Sequence, residues 1–353
     1  MPPEPLEIES ADAPPLALRP ARFSPVAVGT ICCAVAAMSY TASNICLRQL
    51  AQLKADYGWV TCNKELVTVL CLGPWLAVEW LRGRKVVHSW RAVGAIVLVG
   101  LAVQLFGNQL SQWAMGVVGL AVNIPVILGA SLVGSAVLGR LVLGERVTPR
   151  SAVALGLLLI AGIVLGVGAE QAAEKTSADA AASAAHAANA PRPTPTRPLT
   201  ICMAVLAGVS AGTVYALLSI TIRRTVTGAT RGTLLMFLVT LMGVVSLGPL
   251  SWQRLGGAAL WATPREQILW MAAAGLANFV GFVAITQGLA RTTVIHANVL
   301  NASQVAMAAL AGIFLFAEPL TPWLTLGVVL TICGIILVKP ASKSGVETVP
   351  AGI

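Results

Sequence analysis

Long apolar stretches separated by short polar breaks make up most of this 353-residue chain. Each stretch is close to the roughly 20 residues that an α-helix needs to cross a bilayer. The pattern predicts ten spans, at residues 26–47, 58–80, 92–113, 118–142, 149–168, 200–222, 232–251, 267–289, 293–316 and 321–338. We therefore expect an all-α integral membrane protein.

The composition agrees with a lipid environment. Hydrophobic residues make up 57% of the chain and charged residues 10%, which is too little polar surface to cover a soluble protein of this length. Many of the 33 glycines fall inside apolar runs, where small residues let membrane helices approach closely. The seven cysteines also lie in apolar stretches without metal-ligand spacing, so we expect them to pack as small apolar residues and predict no metal site.

The basic residues predict an orientation. Lys and Arg number fifteen on the side of the two termini and seven on the other side, with Lys64 inside the second span. By the positive-inside rule, we expect both termini in the cytoplasm. We also expect a multi-pass protein of the plasma (inner) membrane. The net charge of +9 comes from span ends and not from a basic cluster interleaved with aromatics, which argues against nucleic-acid binding.

The two halves of the chain resemble each other. In the first three pairs of spans, matches recur at one constant offset: Tyr40 with Tyr215, Arg48 with Arg223, 72–74 with 247–249, and 100–102 with 275–277. In the last two pairs the offset is two residues shorter, as in the match of 144–149 with 317–322. Because five is odd, the second copy would enter the membrane from the opposite side, as in inverted repeats. The predicted organisation is a disordered cytoplasmic tail, two five-helix repeats joined by an Ala/Pro-rich extracytoplasmic linker, and a second cytoplasmic tail, at 1–25, 26–168, 169–199, 200–339 and 340–353.

These features resemble the drug/metabolite transporter superfamily, EamA type. The most specific elements are two turns in which Gly-Glu or Ala-Glu precedes Thr-Pro before the last helix of each half, with Glu145 and Pro149 in one and Glu318 and Pro322 in the other. The resemblance implies a central substrate cavity lined mainly by the first four spans of each half. We expect both turns to be structural. The family includes amino-acid exporters, sugar and nucleotide-sugar carriers and drug pumps, so the resemblance names no substrate.

Polar residues inside the predicted spans are candidates for a substrate site, because they are costly in lipid unless they face a cavity or another helix. Gln104, Asn108 and Gln112 recur every four residues, which predicts one polar stripe on the third span. A stripe of amides suits either a pocket wall or hydrogen bonds between helices. The other substrate candidates are Tyr40, Asn44, Asn123, Tyr215, Asn278, Asn298, Asn301 and Gln304.

The second span carries the adjacent charges of Lys64 and Glu65. Neighbours on a helix point about 100° apart, so we predict that they do not pair and that Lys64 meets a substrate anion or a carboxylate of another span. Alternatively, Lys64 snorkels to the headgroups near Trp59. Glu65 is a candidate for proton coupling, since a buried carboxyl can take up a proton, or else it binds a neighbouring helix. His296 is the second coupling candidate, because imidazole titrates near physiological pH; the alternative is an interfacial histidine.

The sequence contains no nucleophile-base constellation and no Gly-rich phosphate loop, so we predict neither an enzyme nor an ATP-driven pump. The predicted function is secondary transport of a small anionic or zwitterionic metabolite by alternating access, without a cofactor. The expected partners are this substrate and the lipid bilayer, and a homo-oligomer is compatible with the sequence. The alternatives are a flippase for lipids or lipid-linked carriers, a drug efflux pump and a non-transporting membrane scaffold.

Overall fold

The computed structural model describes residues 24–83, 89–118, 120–144, 149–150, 152–154, 156–157, 160–161, 163–164, 198–227, 232–316 and 322–337. Helices make up 93% of these residues, and no strand occurs among them. Within these described ranges, six helices are long and apolar enough to cross a membrane: Pro25–Gln52, Trp90–Val118, Asn123–Leu143, Cys202–Val226, Gly232–Leu255 and Arg265–Arg291. The protein is therefore an all-helical membrane protein with several spans, and the ten-span, two-repeat arrangement stays a prediction.

The helices that the structure describes follow the predicted spans closely. In the first half they are α1 (Pro25–Gln52), α2 (Tyr57–Leu81), α3 (Trp90–Ala102), α4 (Leu110–Val118) and α5 (Leu120–Leu143). Further helical residues lie between 149 and 164. In the second half they are α6 (Pro198–Thr227), α7 (Gly232–Leu255), α8 (Gly257–Trp261), α9 (Arg265–Arg291), α10 (Val294–Asn301), α11 (Gln304–Phe316) and α12 (Pro322–Leu337). The short α8 was not predicted.

Side-chain caps set the start of several helices. Asp56 Oδ1 accepts a hydrogen bond from Trp59 N at 2.9 Å and so caps α2. Thr293 Oγ1 does the same for His296 N at 3.2 Å at the start of α10. The first backbone N–H groups of a helix have no partner within the helix, and these side chains satisfy them.

Two predicted spans are not regular helices. Between α3 and α4, the residues Val103–Gln109 form a π-helical segment that contains Gln104 and Asn108. The span predicted at 293–316 turns at Ala302 and Ser303, between α10 and α11. There Val305 N donates to Ala302 O at 3.0 Å, a three-residue spacing that tightens the helix locally. Such interruptions depend on contacts with other helices, so the apolar pattern does not indicate them.

The outer surface of the bundle is apolar. Leu98, Leu141 and Phe314 are 70%, 76% and 81% exposed. Large apolar side chains with this exposure suit a surface covered by lipid, where helices satisfy their own backbone groups. Inside the bundle, α1 packs along α9, α5 along α6 and α2 along α7, so each of these contacts joins the first half of the chain to the second.

Helix ends gather on two opposite faces. On the Asp56 face, which contains residues 53–59 and 252–267, Arg254 forms an ion pair with Asp56. Trp59 Nε1 also donates to Thr263 Oγ1 there, at 3.0 Å. On the Arg291 face, which contains the start of α1 and the end of α9, Thr30 Oγ1 lies 3.1 Å from His296 Nε2. The positive-inside rule predicts that the Arg291 face is cytoplasmic.

Candidate functional site

Five polar side chains meet inside the bundle: Lys64 and Glu65 of α2, Gln104 and Asn108 of the π-helical segment, and Tyr215 of α6. We call them the polar network. Lys64, Glu65 and Gln104 are 4%, 2% and 1% exposed. At 1.5 Å per residue, Lys64 lies about 10 Å from the start of α2. The network is therefore a buried group of polar side chains at membrane depth.

Lys64 and Glu65 pair directly, with Lys64 Nζ 3.0 Å from Glu65 Oε1. The prediction that they do not pair is wrong. Their Cα–Cβ bonds diverge, but both side chains are long enough to curve along the helix surface until the charged groups meet. An unpaired charge in the interior costs several kcal/mol, which is more than the strain of bending two flexible side chains. The Lys64 ammonium thus lies within the bundle and does not snorkel.

Asn108 connects the network. Its Oδ1 accepts from Tyr215 OH at 2.8 Å and from Lys64 Nζ at 3.5 Å. Its Nδ2 donates to Gln104 Oε1 at 2.7 Å and to Glu65 Oε1 at 3.2 Å. An amide side chain has two acceptor sites and two donor hydrogens, so Asn108 uses all four. The first two members of the predicted stripe are hydrogen-bonded to each other, and Gln112 is buried one turn further along, in α4.

Helix α7 closes the network with backbone atoms. Gln104 Nε2 donates to Val239 O at 3.0 Å. A Cβ atom at Gly243 would lie 2.8 Å from both Gln104 Cδ and Glu65 Cγ, so the network needs glycine there. Neither residue was predicted, because an apolar span gives no indication of which glycine meets a polar neighbour.

Thr68 is another residue that the sequence analysis missed. It follows Lys64 by four residues and so lies on the same face of α2. It is fully buried, and its Oγ1 has no hydrogen-bond partner among the residues that the structure describes. Leaving a buried hydroxyl unpaired costs roughly 1–3 kcal/mol, so this group is available to a polar ligand.

Tyr40 and Tyr215 pack against glycines in related ways. A Cβ atom at Gly107, in the π-helical segment, would lie 3.1 Å from Tyr215 Cε1. A Cβ atom at Gly281, in α9, would lie 3.0 Å from the Tyr40 ring. Both tyrosines pack against the same hydrophobic cluster, so one core contacts both.

Several other predicted site residues connect helices outside the network. Asn298 Nδ2 donates to Ser135 Oγ at 2.8 Å, and its Oδ1 accepts from Ser219 Oγ at 3.4 Å. Asn44 Nδ2 donates to Gln304 Oε1 at 3.4 Å, and Asn123 Nδ2 donates to Ser111 O at 2.9 Å. These contacts match the alternative that intramembrane amides hold helices together.

The remaining candidates are dispersed. His296 is 4% exposed, and its Nδ1 lacks a partner in the described part of the chain. Asn301 Oδ1 is likewise buried without a described partner, beside the turn between α10 and α11. Asn278 is half-buried on α9. Glu145 and Glu318 lie outside the described residues, whereas Pro149 and Pro322 are exposed helical residues.

The bundle contains several membrane-length helices and a buried ion pair on α2, so the protein is a multi-pass membrane protein. Its residues 198–339 match the sequence profile of the EamA-like transporter family. Guanidinium exporters from Citrobacter freundii and Klebsiella oxytoca are each 30% identical to it over 96 residues, which cover 27% of this chain and 90% of theirs. The chain therefore belongs to the EamA-like transporter family of the drug/metabolite transporter superfamily, as the sequence predicted, and is a membrane transporter.

The fold of the chain also matches a known one. A protein with a solved crystal structure superposes with a TM-score of 0.62 and 15% sequence identity, over 88% of this chain and 95% of its own. At that identity the likeness concerns the fold alone. Its extent means that most of this chain shares the arrangement of helices in that structure.

Proposed function

We propose that this protein is a secondary transporter for a small zwitterionic metabolite and that the polar network is its substrate site. The observation that carries this proposal is the buried Lys64–Glu65 ion pair, with Asn108 bonded to both charges. A buried ion pair adds little stability compared with apolar residues of the same size. Its presence at membrane depth therefore favours a functional role.

The pair suits a ligand that carries both charges. A substrate ammonium would bind Glu65 while a substrate carboxylate binds Lys64, so that both buried charges stay compensated. Asn108 and Tyr215 would then exchange their mutual hydrogen bond for bonds to the substrate. An anion alone would leave Glu65 unpaired, and leaving one buried charge without its partner costs about 3–5 kcal/mol.

Alternating access between two inverted halves is part of the proposal. The polar network draws on both halves, because its residues of the first half contact Tyr215, Val239 and Gly243 of the second. Tyr215 of α6 meets Gly107 of the third span, and Tyr40 of α1 meets Gly281 of α9. Under the offset that relates the two halves, these contacts are equivalent to within one position. Reciprocal contacts of this kind support a twofold axis in the membrane plane.

An organic cation is the second candidate substrate. The related proteins of Citrobacter freundii and Klebsiella oxytoca are guanidinium exporters. A guanidinium group binds a carboxylate with two parallel hydrogen bonds, and Glu65 is the carboxylate of the network. In that case Lys64 would compete with the substrate for Glu65, whereas a zwitterion would use both residues.

Transport by purified protein in liposomes separates these substrate classes. Lys64→Met and Glu65→Gln are assayed with a neutral amino acid, a small carboxylate and guanidinium. For a zwitterion substrate, both variants should lose at least about tenfold in transport rate, equivalent to about 1.4 kcal/mol. Lys54→Met and Glu266→Gln, at exposed positions outside the network, should transport like the wild type.

Each other outcome identifies a different substrate. Loss only in Lys64→Met indicates an anion, and loss only in Glu65→Gln indicates a cation such as guanidinium. If none of the soluble compounds stabilises the purified protein, and lipids stabilise the wild type but not Lys64→Met and Glu65→Gln, the flippase alternative replaces metabolite transport. Full transport by both variants would exclude the polar network as the site.

We also infer that the protein lies in the plasma membrane with both termini and the Arg291 face in the cytoplasm. The excess of basic residues on that side supports this orientation. Tags at Met1, near His186 and at Ile353 should report inside, outside and inside. A cytoplasmic signal near His186 would contradict both this orientation and the five-plus-five division.

A further inference from the structure

An apolar cleft lies on the Asp56 face. It has a volume of about 540 Å³ and is lined by Trp59, Gly248, Pro249, Trp252, Gln253, Leu260 and Trp261. Ligand pockets of proteins commonly have volumes of about 300–1,000 Å³. Trp59 precedes Lys64 by five residues on α2, so the cleft lies nearer the membrane surface than the polar network and is a separate site.

The cleft is positioned for an amphipathic ligand. Tryptophan prefers the layer between lipid tails and headgroups, and three of the lining residues are tryptophans. Trp252 and Trp261 are 55% and 85% exposed, so the cleft is open at the surface of the protein. An apolar chain entering from the membrane would cover these exposed indole rings.

Charged groups border the apolar walls. Arg254 follows the lining residues Trp252 and Gln253, and it pairs with Asp56, the residue that caps the helix carrying Trp59. The Arg254 side chain is 52% exposed, so it can bind a second partner. A guanidinium has five donor hydrogens in a planar array that suits phosphate. The combination of apolar walls and a half-exposed arginine fits a ligand with a long apolar chain and a phosphate.

We propose that this cleft binds one phospholipid, with an acyl chain against the tryptophans and the lipid phosphate at Arg254. At the membrane surface, phospholipid is present at far higher concentration than any soluble amphipath, and occupancy rises with ligand concentration. The site joins α2 of the first half to α7 and α8 of the second. On the same face, Gln267 Nε2 of α9 donates to Leu53 O at 3.3 Å. A bound lipid thus stabilises the contact between the two halves on this face.

Native mass spectrometry of the purified full-length protein tests the proposal without a transport assay. The probes are phosphatidylglycerol, a diacylglycerol with the same chains but no phosphate, and glycerol phosphate without chains. We expect one phosphatidylglycerol to remain bound and to raise the thermal unfolding temperature. Each of the other two probes should bind at least about tenfold more weakly, a difference of about 1.4 kcal/mol.

Two variants and two matched controls locate the site. Trp261→Ala removes an exposed indole of the cleft, and Arg254→Gln removes the guanidinium group that would bind the lipid phosphate. Both should weaken phosphatidylglycerol binding about tenfold, equivalent to about 1.4 kcal/mol. Trp80→Ala and Arg82→Gln, at exposed positions at the opposite end of α2, should bind lipid like the wild type. Unchanged binding in either cleft variant, or equal loss in the controls, would overturn the proposal.

Discussion

The surroundings of Tyr40 and Tyr215 can be compared directly, because the two residues occupy matching positions and each packs against a glycine of the other half. Tyr215 donates to Asn108, which is bonded to Lys64 and Glu65. At the same offset, the second half has Val239 and Thr240 in place of the charged pair. Asn108 comes directly after Gly107 in the chain, whereas the residue directly after Gly281 is Phe282. The halves thus share packing around a tyrosine, while the charged pair at the compared positions belongs to the first half alone.

The two similar halves contribute different groups to the polar network and its surroundings. The second half contributes Tyr215, the Val239 carbonyl and the space at Gly243. It adds no second charged pair at the positions that match the first, Val239 and Thr240. Two charged pairs at one centre would double the desolvation cost of buried ions. Under the proposed function, a single asymmetric site would give the substrate one set of charged partners in both orientations of the halves.

The largest expected effect comes from breaking the charged pair. Lys64→Met leaves Glu65 buried without its partner and should reduce the free energy of unfolding by about 3–5 kcal/mol. The double variant Lys64→Val and Glu65→Thr copies residues 239 and 240 into the first half and removes both charges. It should recover most of the lost stability and still fail to transport. Denaturant unfolding in detergent and liposome uptake measure the two effects. A double variant as unstable as Lys64→Met would show that the pair itself stabilises the fold.

The next effect compares the two glycines. Gly107→Ala and Gly281→Ala each force a tyrosine ring to move, and each should cost about 1–3 kcal/mol of stability. Only Gly107→Ala should also raise the substrate KM, because moving Tyr215 disturbs its hydrogen bond to Asn108 of the polar network. Next to Gly281 the matching residue is Phe282, which has no polar group to bind the substrate. Thermal unfolding and uptake kinetics check this. An equal rise in KM for both variants would mean that Tyr40 also touches the substrate.

A smaller effect is expected from the tyrosine hydroxyls. Tyr215→Phe removes one hydrogen bond to Asn108 Oδ1, which is equivalent to about 1 kcal/mol and about a fivefold change in substrate affinity. Tyr40→Phe is its matched control in the other half and should change affinity less. The reverse order, measured by ligand-induced thermal stabilisation, would place the substrate nearer to Tyr40.

The smallest effect on stability is expected at Thr68, whose counterpart in the second half is Gly243, at the offset that relates Tyr40 to Tyr215. Thr68→Val replaces a buried hydroxyl that has no described partner with a methyl group of similar size. Unfolding stability should stay unchanged or rise by about 1 kcal/mol, while substrate affinity falls a few-fold. If affinity is unchanged, Thr68 only fills space beside the network.

The sequence alone determined the all-helical membrane class, the approximate ends of the described helices and the family. Those properties follow from hydrophobic length and from sequence motifs such as the one that begins at Gly144-Glu145, and they need no knowledge of which helices touch. The stripe of Gln104 and Asn108 was also predictable, because residues four apart share a helix face.

Only the tertiary structure decided which polar groups meet. The Lys64–Glu65 pair, the interruptions at Val103–Gln109 and Ala302–Ser303, and the roles of Gly243 and Thr68 all depend on neighbouring helices. The first half has one more residue between Gly100 and Gly107 than the second half has between Gly275 and Gly281. A π-helical segment accommodates one such extra residue. Helix periodicity specifies a face, but the partner across that face depends on packing between residues far apart in the chain.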